Sequence, residues 1–241
     1  MNKSMPPVAL VAGGLSTRLR PITATIPKSM VRVAGEPFIA HQLRLLGRQG
    51  VREVVICCGF LGEQIEDFVK TGSQFGCHVS YSYDGTPLKG TGGAIKQALA
   101  QLGDHFFVLY GDSYLPIEFR PVYAEFLRSE TLGLMTLFHN HGRWDKSNVD
   151  FRGCRILRYD KIQRTPEMEF IDYGLGILTS KAFARWGADD TFDLSEVYRD
   201  LVESDQLAGC EMTQRFYEIG TPSGLRETDE LLSSSHRLPA K

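Results

Sequence analysis

Arg18 and Lys28 stand ten residues apart behind a glycine pair, in Val8-Ala-Leu-Val-Ala-Gly13-Gly14-Leu15-Ser16-Thr17-Arg18-Leu19-Arg20-Pro21 and its continuation Ile26-Pro27-Lys28. Glycine lets the backbone turn with positive φ and approach a ligand with no Cβ in the way. Ser16 and Thr17 add two hydroxyls. Amides, hydroxyls and fixed positive charge at the end of a buried strand are what a polyphosphate requires. Taken alone, Gly13-Gly14 could be an ordinary strand-to-loop turn; Arg18 and Lys28 at this spacing point to phosphate instead.

Three further stretches could share that chemistry. Gly90-Thr91-Gly92-Gly93 opens a helical pattern, and a helix N-terminus offers free N–H donors that glycines leave accessible. The alternative is a glycine-rich helix entry with no ligand. Tyr110-Gly111-Asp112-Ser113 closes an apolar run. Asp112 there suits Mg²⁺, which takes few protein oxygens and fills its shell with phosphate and water, or else it caps the following turn. Glu218, in Phe216-Tyr217-Glu218-Ile219-Gly220, is a second acid, alternatively an ordinary surface glutamate. His139-Asn140-His141 has the spacing of a ligand pair, but loop residues at a strand end explain it without metal.

The elements that must position these residues follow from periodicity. Val8–Ala12, Val54–Cys58 and Phe106–Tyr110 are short apolar runs suited to strands buried on both faces. Val79–Tyr83 alternates as a further strand. Ile39, Leu43 and Leu46, then Leu61, Ile65, Phe68 and Val69, then Ile95, Ala98, Leu99 and Leu102, mark three helical stripes between them. Beyond residue 130 the pattern turns to strands with short polar links, at 132–138, 149–151, 155–159 and 170–178. A helix follows at Leu194–Leu201, opened by Asp193 with Glu196 three residues on as a near-capping box. A short strand at 216–219 and a helix at 225–232 close the chain. The fold class expected is α/β: a doubly wound, Rossmann-like mixed sheet, mostly parallel, with an antiparallel extension as the second wall of a cleft.

With 241 residues the chain is expected to form one domain over 1–232 and a flexible tail over 233–241. A net charge of −2 argues against non-specific nucleic-acid binding, so anions must be held by local cations. No long apolar run and no N-terminal signal core is present, so no membrane partner and a cytoplasmic location are expected. The five cysteines form no C-x-x-C pair and are expected to be reduced thiols.

The run Gly13-Gly14-Leu15-Ser16-Thr17-Arg18-Leu19-Arg20-Pro21-Ile22-Thr23, followed by Pro27-Lys28-Ser-Met-Val-Arg-Val-Ala-Gly35-Glu-Pro37, resembles the signature of the sugar-phosphate nucleotidylyltransferases. Ser16 departs from that pattern, standing where the family usually carries a third glycine. The resemblance implies an NTP and a sugar 1-phosphate as partners, Mg²⁺ as cofactor and, by analogy, a homodimer. It carries nucleotide binding onto Gly13, Gly14, Ser16, Thr17, Gly90, Thr91 and Gly92, and catalytic roles onto Arg18 and Lys28. It makes Asp112 and Glu218 the metal pair, with Glu218 one methylene longer than the family's aspartate. Asp160-Lys161 resembles the pair serving sugar and phosphate, and Asp172-Tyr173-Gly174 resembles an N-x-G strand, with aspartate for asparagine. A salt bridge or hairpin role for either acid is the alternative. Trp144, Asp145 and Asn148 could line the sugar pocket.

The reaction so implied needs no general base. A phosphomonoester with a second pKa near ~6 is already largely dianionic at neutral pH, and the site has only to align and neutralise two polyanions. The loops most resemble guanylyltransferases acting on mannose or heptose 1-phosphate. Uridylyl or thymidylyl relatives, and a nucleotide-sugar-binding regulatory subunit without turnover, are the alternatives. A dinucleotide oxidoreductase is disfavoured because Gly13 to Arg18 does not supply G-x-G-x-x-G.

Overall fold

The computed structural model describes residues 4–14 and 17–235. Ser16, expected on the phosphate loop, and residues 236–241 of the expected tail lie outside the described residues, as does the side chain of Thr17. The first half runs β1 (Val8–Val11), β2 (Arg32–Val33), β3 (Glu36–Pro37), α1 (Phe38–Arg48), β4 (Glu53–Cys58), α2 (Gly62–Val69), β5 (His78–Tyr83), α3 (Gly90–Leu102) and β6 (His105–Tyr110). The second half continues with β7 (Ser113–Tyr114), α4 (Phe119–Ser129), β8 (Gly133–His139), β9 (Val149–Arg152), β10 (Arg155–Tyr159), β11 (Phe170–Thr179), α5 (Leu194–Glu203), β12 (Leu207–Met212), β13 (Tyr217–Glu218) and α6 (Pro222–Ser235).

One nine-stranded sheet in the order β5-β4-β1-β6-β11-β8-β12-β10-β9 carries the fold. Its first four strands are parallel, with Val8–Val11 paired to Val54–Cys57 on one side and Phe107–Tyr110 on the other. Antiparallel order begins at β11, which separates β6 from β8, and β8 with β12 forms one further parallel pair. The sheet is mixed as expected, but parallel pairing does not dominate it: parallel pairs join the four N-terminal strands and β8 to β12, and the other pairings are antiparallel. Alternation along β1 shows why both faces are covered: Val8 and Leu10 enter one apolar core, Ala9 the other. The first core takes Ile39, Leu43 and Leu46 of α1, Ile65 and Val69 of α2, and Phe119, Val122 and Phe126 of α4. The second takes Ile95, Ala98 and Leu102 of α3 with Leu194, Val197 and Leu201 of α5.

Helix α4 and strand β12 were not anticipated, nor were the two-residue strands β2, β3 and β7. Helix α4 carries Phe119, Val122, Tyr123 and Phe126 at helical spacing, a stripe that Pro121 in its first turn obscures. Strand β12, Leu-Ala-Gly-Cys-Glu-Met, has little apolar pattern of its own and forms because β8 and β10 pair on either side of it. Among the described residues no helix is long and apolar enough to cross a membrane. All five cysteines are free thiols.

Helix α5 is fixed to the entry of α3. The Asp193 carboxylate accepts the Ser195 N–H at 2.8 Å while Glu196 reaches back to accept the Asp193 N–H at 3.0 Å, completing a capping box. Thr91 Oγ1 donates to Asp193 Oδ2 at 2.9 Å and accepts the Leu194 N–H at 2.8 Å. A Cβ on Gly92 would stand 2.4 Å from the Phe192 ring, and one on Gly90 would stand 2.5 Å from the Phe192 carbonyl oxygen. These glycines are therefore required by packing of the segment before α5 whatever else they bind. Replacing Asp193 by alanine removes the cap and leaves Thr91 without its acceptor. The expected cost is about 1–2 kcal/mol, seen as a fall of about 3–6 °C in Tm for a chain of this size. An unchanged calorimetric Tm would refute this coupling.

Candidate active site

Three cavities follow one another along the carboxyl ends of the central strands, where ligands gather in doubly wound sheets. The smallest, about 100 Å³, is lined by Gly13, Gly14, Asp84, Leu88, Gly90 and Thr91. The next, about 150 Å³, shares Gly14 and Thr91 with it and adds Lys28, Ser29, Tyr110 and Asp112. The largest, about 490 Å³, shares Tyr110 and Asp112 with the second and extends past Arg18, Lys161, Asp172, Gly174 and Glu218. Of the sequence-predicted residues, Gly13, Gly14, Arg18, Lys28, Gly90, Thr91, Asp112, Lys161, Asp172, Gly174 and Glu218 line this run of cavities, whereas Gly92 and Asp160 line none of the three.

At its centre Lys28 Nζ lies 2.6 Å from Asp112 Oδ2, a contact across 84 residues. Lys28 heads a 3-10 turn at 28–30, entered through Pro27, which needs no N–H there. Asp112 is placed by main-chain and side-chain bonds around it. The Gly111 N–H donates to Val11 O, the Ile219 N–H donates to Asp112 O, and buried Gln42 donates to the carbonyls of Tyr110 and Ser113 at 2.9 and 2.8 Å. Ser29, also lining this cavity, has a buried hydroxyl with no partner. An unpaired buried hydroxyl is costly, so a group that completes it is favoured there.

Glu218 is set beside this pair by β13, whose Glu218 faces Ser113 of β7. A Cβ on Gly220 would stand 2.6 Å from Glu218 Oε2, 3.1 Å from Lys28 Nζ and 3.4 Å from Asp112 Oδ2, so the three charges surround one glycine. The glutamate carboxylate accepts the Gly220 N–H and, at 2.6 Å, the Thr221 hydroxyl, closing over the start of α6. The extra methylene thus folds its oxygens back onto the α6 entry. Two carboxylates facing one cavity are hard oxygen donors of the kind Mg²⁺ takes in small number, and Asp112 Oδ1 accepts the Ser113 hydroxyl at 3.3 Å. The donor set fits the ion. Among the described residues no group of three or more His, Cys, Asp and Glu side chains gathers for a metal, and His139 and His141 pair instead with each other, ring nitrogens 3.0 Å apart.

The wide end is built by β11 and the loop before β9. Between Asp172 and Gly176 the register against β8 shifts, and Gly174 takes φ +101° inside that bulge. Asp172 is held by its own turn, accepting the Gly174 N–H at 3.0 Å, while Asn148 Oδ1 accepts the Asp172 N–H at 3.1 Å. Desolvation raises the Asp172 pKa, opposed by the charge of Lys161, whose ammonium lies over the Tyr110 ring. Trp144, Asp145 and Asn148 all line this cavity. Asp160 does not: it accepts the N–H groups of Ile162 and Gln163 at 2.8 Å each, shaping the turn that carries Lys161.

The narrow end holds a residue that sequence reasoning passed over. Asp84 follows β5 directly, is only 7% exposed, and its Oδ1 has no hydrogen-bond partner. Desolvation pushes its carboxyl up to about 6, against the opposing hydrogen bond and charge of Lys89. The available signal was an acid between an alternating strand and a glycine-rich helix entry. The N-terminal amides of α3 are partly consumed here, since Gly92 and Gly93 donate to Phe192 O. Gly13 is needed for contact with the β4–α2 turn, where a Cβ would stand 3.0 Å from Gly59 N. Arg215 and Asn140 were likewise not singled out, and both shape the wide end.

Similarity to known proteins gives the family and the fold. The Nucleotidyl transferase family matches residues 8–144. The chain is 31% identical over 229 residues to N-acetylmuramate alpha-1-phosphate uridylyltransferase of Neisseria meningitidis serogroup B, covering 92% of this chain and 96% of the relative. It is 27% identical over 213 residues to D-glycero-alpha-D-manno-heptose 1-phosphate guanylyltransferase of Campylobacter jejuni, covering 88% and 94%. The crystal structure of HddC from Yersinia pseudotuberculosis complexed with GMP-PN shares the fold at TM-score 0.78 and 23% identity, covering 95% of this chain and 100% of that one. A cleft with a cation–carboxylate centre, on a sheet shared with these proteins and under a family signature spanning over half the sequence, makes this chain a member of the nucleotidyl transferase family.

Proposed function

We propose that the chain transfers a nucleoside monophosphate from an NTP to a sugar 1-phosphate and releases pyrophosphate, with GTP as donor and a mannose- or heptose-type sugar as acceptor. The observation that carries this reading is the continuity of the three cavities, with Lys28 and Asp112 at the junction. Nucleoside, phosphates and sugar then lie in that order along the strand ends. The acceptor phosphate is already anionic, so the chain's work is alignment and charge neutralisation. Lys28 contacts the α-phosphate and the incoming phosphate, Arg18 the departing pyrophosphate, and Lys161 the sugar phosphate. Asp172, acceptor-only when ionised, takes sugar hydroxyls. Asp112 and Glu218 would hold Mg²⁺, which when bound supplies further neutralisation of phosphate charge.

Asp84 supports guanine as the base. A carboxylate only accepts, and guanine presents adjacent N1–H and N2–H donors; uracil and thymine flank one N–H with two carbonyl oxygens, which a carboxylate repels. A base so bound would also satisfy the oxygen that Asp84 otherwise buries without a partner. Uridylyl transfer is the second reading, favoured by the 31% identity to a uridylyltransferase. A binding subunit without turnover is the third, favoured by the engagement of Glu218 with the start of α6.

Pyrophosphate release from the four NTPs against a panel of sugar 1-phosphates separates these readings. Release is expected with GTP foremost, and Lys28→Ala or Asp112→Ala is expected to lower kcat/KM by about 10²–10³. Binding without release supports the third reading, and undiminished turnover in both variants removes the proposed centre.

Asp84→Asn tests the base assignment twice. With the amide in place, kcat/KM for GTP is expected to fall at least about tenfold relative to UTP. The same change is expected to stabilise the protein without nucleotide. A carboxyl raised to about 6 when folded gives stability that is full below its unfolded pKa and lost as pH rises through 6. The asparagine variant is thus more stable by on the order of 2–3 kcal/mol at pH 8, an advantage that about halves by pH 5. Calorimetry at the two pH values reads this directly, and a pH-independent difference contradicts it.

A further inference from the structure

We propose that Lys28 and a divalent cation exchange on Asp112, so that the chain takes up metal only with a polyphosphate that draws the ammonium away. This rests on the reading of Asp112 as a metal ligand. Lys28 Nζ holds Asp112 Oδ2 at 2.6 Å, and Oδ1 of the same carboxylate accepts the Ser113 hydroxyl at 3.3 Å. Mg²⁺ binds oxygen at about 2.0–2.1 Å, so a cation on Oδ2 would stand within about 5 Å of the ammonium. Like charges that close repel strongly in a cleft with little bulk water. The carboxylate has one charge to give, and Lys28 takes it.

The contact is built into the fold. Lys28 rides on a turn closed by the Met30 N–H on Pro27 O and the Val31 N–H on Lys28 O. Asp112 is pinned through its own carbonyl by the Ile219 N–H. Glu218, the second acid, is held as well. Its carboxylate accepts the Gly220 N–H and the Thr221 hydroxyl, and Oε1 fills the space where Gly224 would carry a Cβ. Both acids are thus satisfied by the chain's own donors.

The cavities separate the two exchange partners. Lys28 lines the middle cavity and not the wide one, Glu218 lines the wide one and not the middle, and Asp112 lines both. A polyphosphate in the middle cavity offers the ammonium several acceptor oxygens, and the flexible four-carbon stem lets it follow them. Asp112 is then released toward Glu218, with phosphate oxygens and water to complete the metal's shell. Bare metal meets a carboxylate already neutralised, and bare polyphosphate meets an ammonium already neutralised. Each ligand therefore strengthens the binding of the other, and by linkage it does so by the same factor.

Removing either partner of the contact is expected to free the other, and two titrations of the full chain read this. The first uses Mn²⁺, which takes the same oxygen ligands, with the free aquo ion followed by electron paramagnetic resonance. Lys28→Met is expected to bind Mn²⁺ at least about tenfold more tightly than the parent chain. Lys161→Met, which removes a cation of the same cleft, is expected to stay within about twofold. Lys28→Met combined with Asp112→Asn is expected to lose the gain. The second uses inorganic tripolyphosphate in excess EDTA, followed by calorimetry. Asp112→Asn is expected to bind it at least about fivefold more tightly, and Glu218→Gln within about twofold of the parent. Misfolding cannot produce such gains. Mn²⁺ binding by the parent and Lys28→Met chains within about twofold of each other overturns the exchange, and so does a gain that survives in the double variant. Both gains without pyrophosphate release from NTP and sugar 1-phosphate leave the exchange standing and remove the catalytic reading; release without the gains does the reverse.

Discussion

The 2.6 Å contact between Lys28 and Asp112 is the constraint on which the site depends. It joins a 3-10 turn after β1 to the end of β6, and it holds only if those strands keep their register. Val11 opposite Tyr110 fixes that register, and the Gly111 N–H on Val11 O locks it at the ligand edge. Both partners are part-buried, at 16% and 28% side-chain exposure. Removing one would strand the other's charge in the cleft, which costs more than the pair contributes. A polyanion entering that cleft gives the ammonium an equivalent partner, so the contact that orders the apo site is also one that phosphate can replace.

Close approach of main chain to main chain organises the rest. Gly13 against Gly59, Gly90 against Phe192 and Gly220 amid three charges are each places where a Cβ would stand about 3 Å or less from other atoms. These motif stretches are therefore packing devices, whatever else they bind. Amide side chains, buried at Gln42 and Asn140 and part-buried at Asn148, complement these contacts. Gln42 sets the turn bearing Asp112, Asn148 sets the bulge bearing Asp172, and Asn140 sets the loop bearing Trp144. None of the three need touch a substrate, yet each fixes a side chain that lines the cleft. Short amide side chains with two donors and an acceptor suit such positions because they satisfy several main-chain groups at once.

The acids illustrate how environment separates groups of one chemical type. Asp160, satisfied by two backbone N–H groups, has a lowered pKa. Asp84 and Asp172 are desolvated and raised, at opposite ends of the cleft. Asp193 is also desolvated, but hydrogen bonds from Ser195 and Thr91 outweigh that and lower it. The sequence spelled all four with the same letter, and only their surroundings set them apart.

What the sequence determined by itself was local and periodic. Continuous apolar runs specified β1, β4 and β6, because burial on both faces demands them, and helical stripes specified the three helices between them. Residue type and position likewise marked Lys28 and Asp112, and the family resemblance marked Lys161 and Asp172, all of which line the cleft. Tertiary structure decided the rest. Strand β12 exists through its neighbours, Asp160 turned to its own loop, Glu218 folded over α6, and Asp84 and Arg215 acquired meaning only from what surrounds them. Burial, desolvation and pairing across tens of residues are properties of the folded chain, and no short window of sequence contains them.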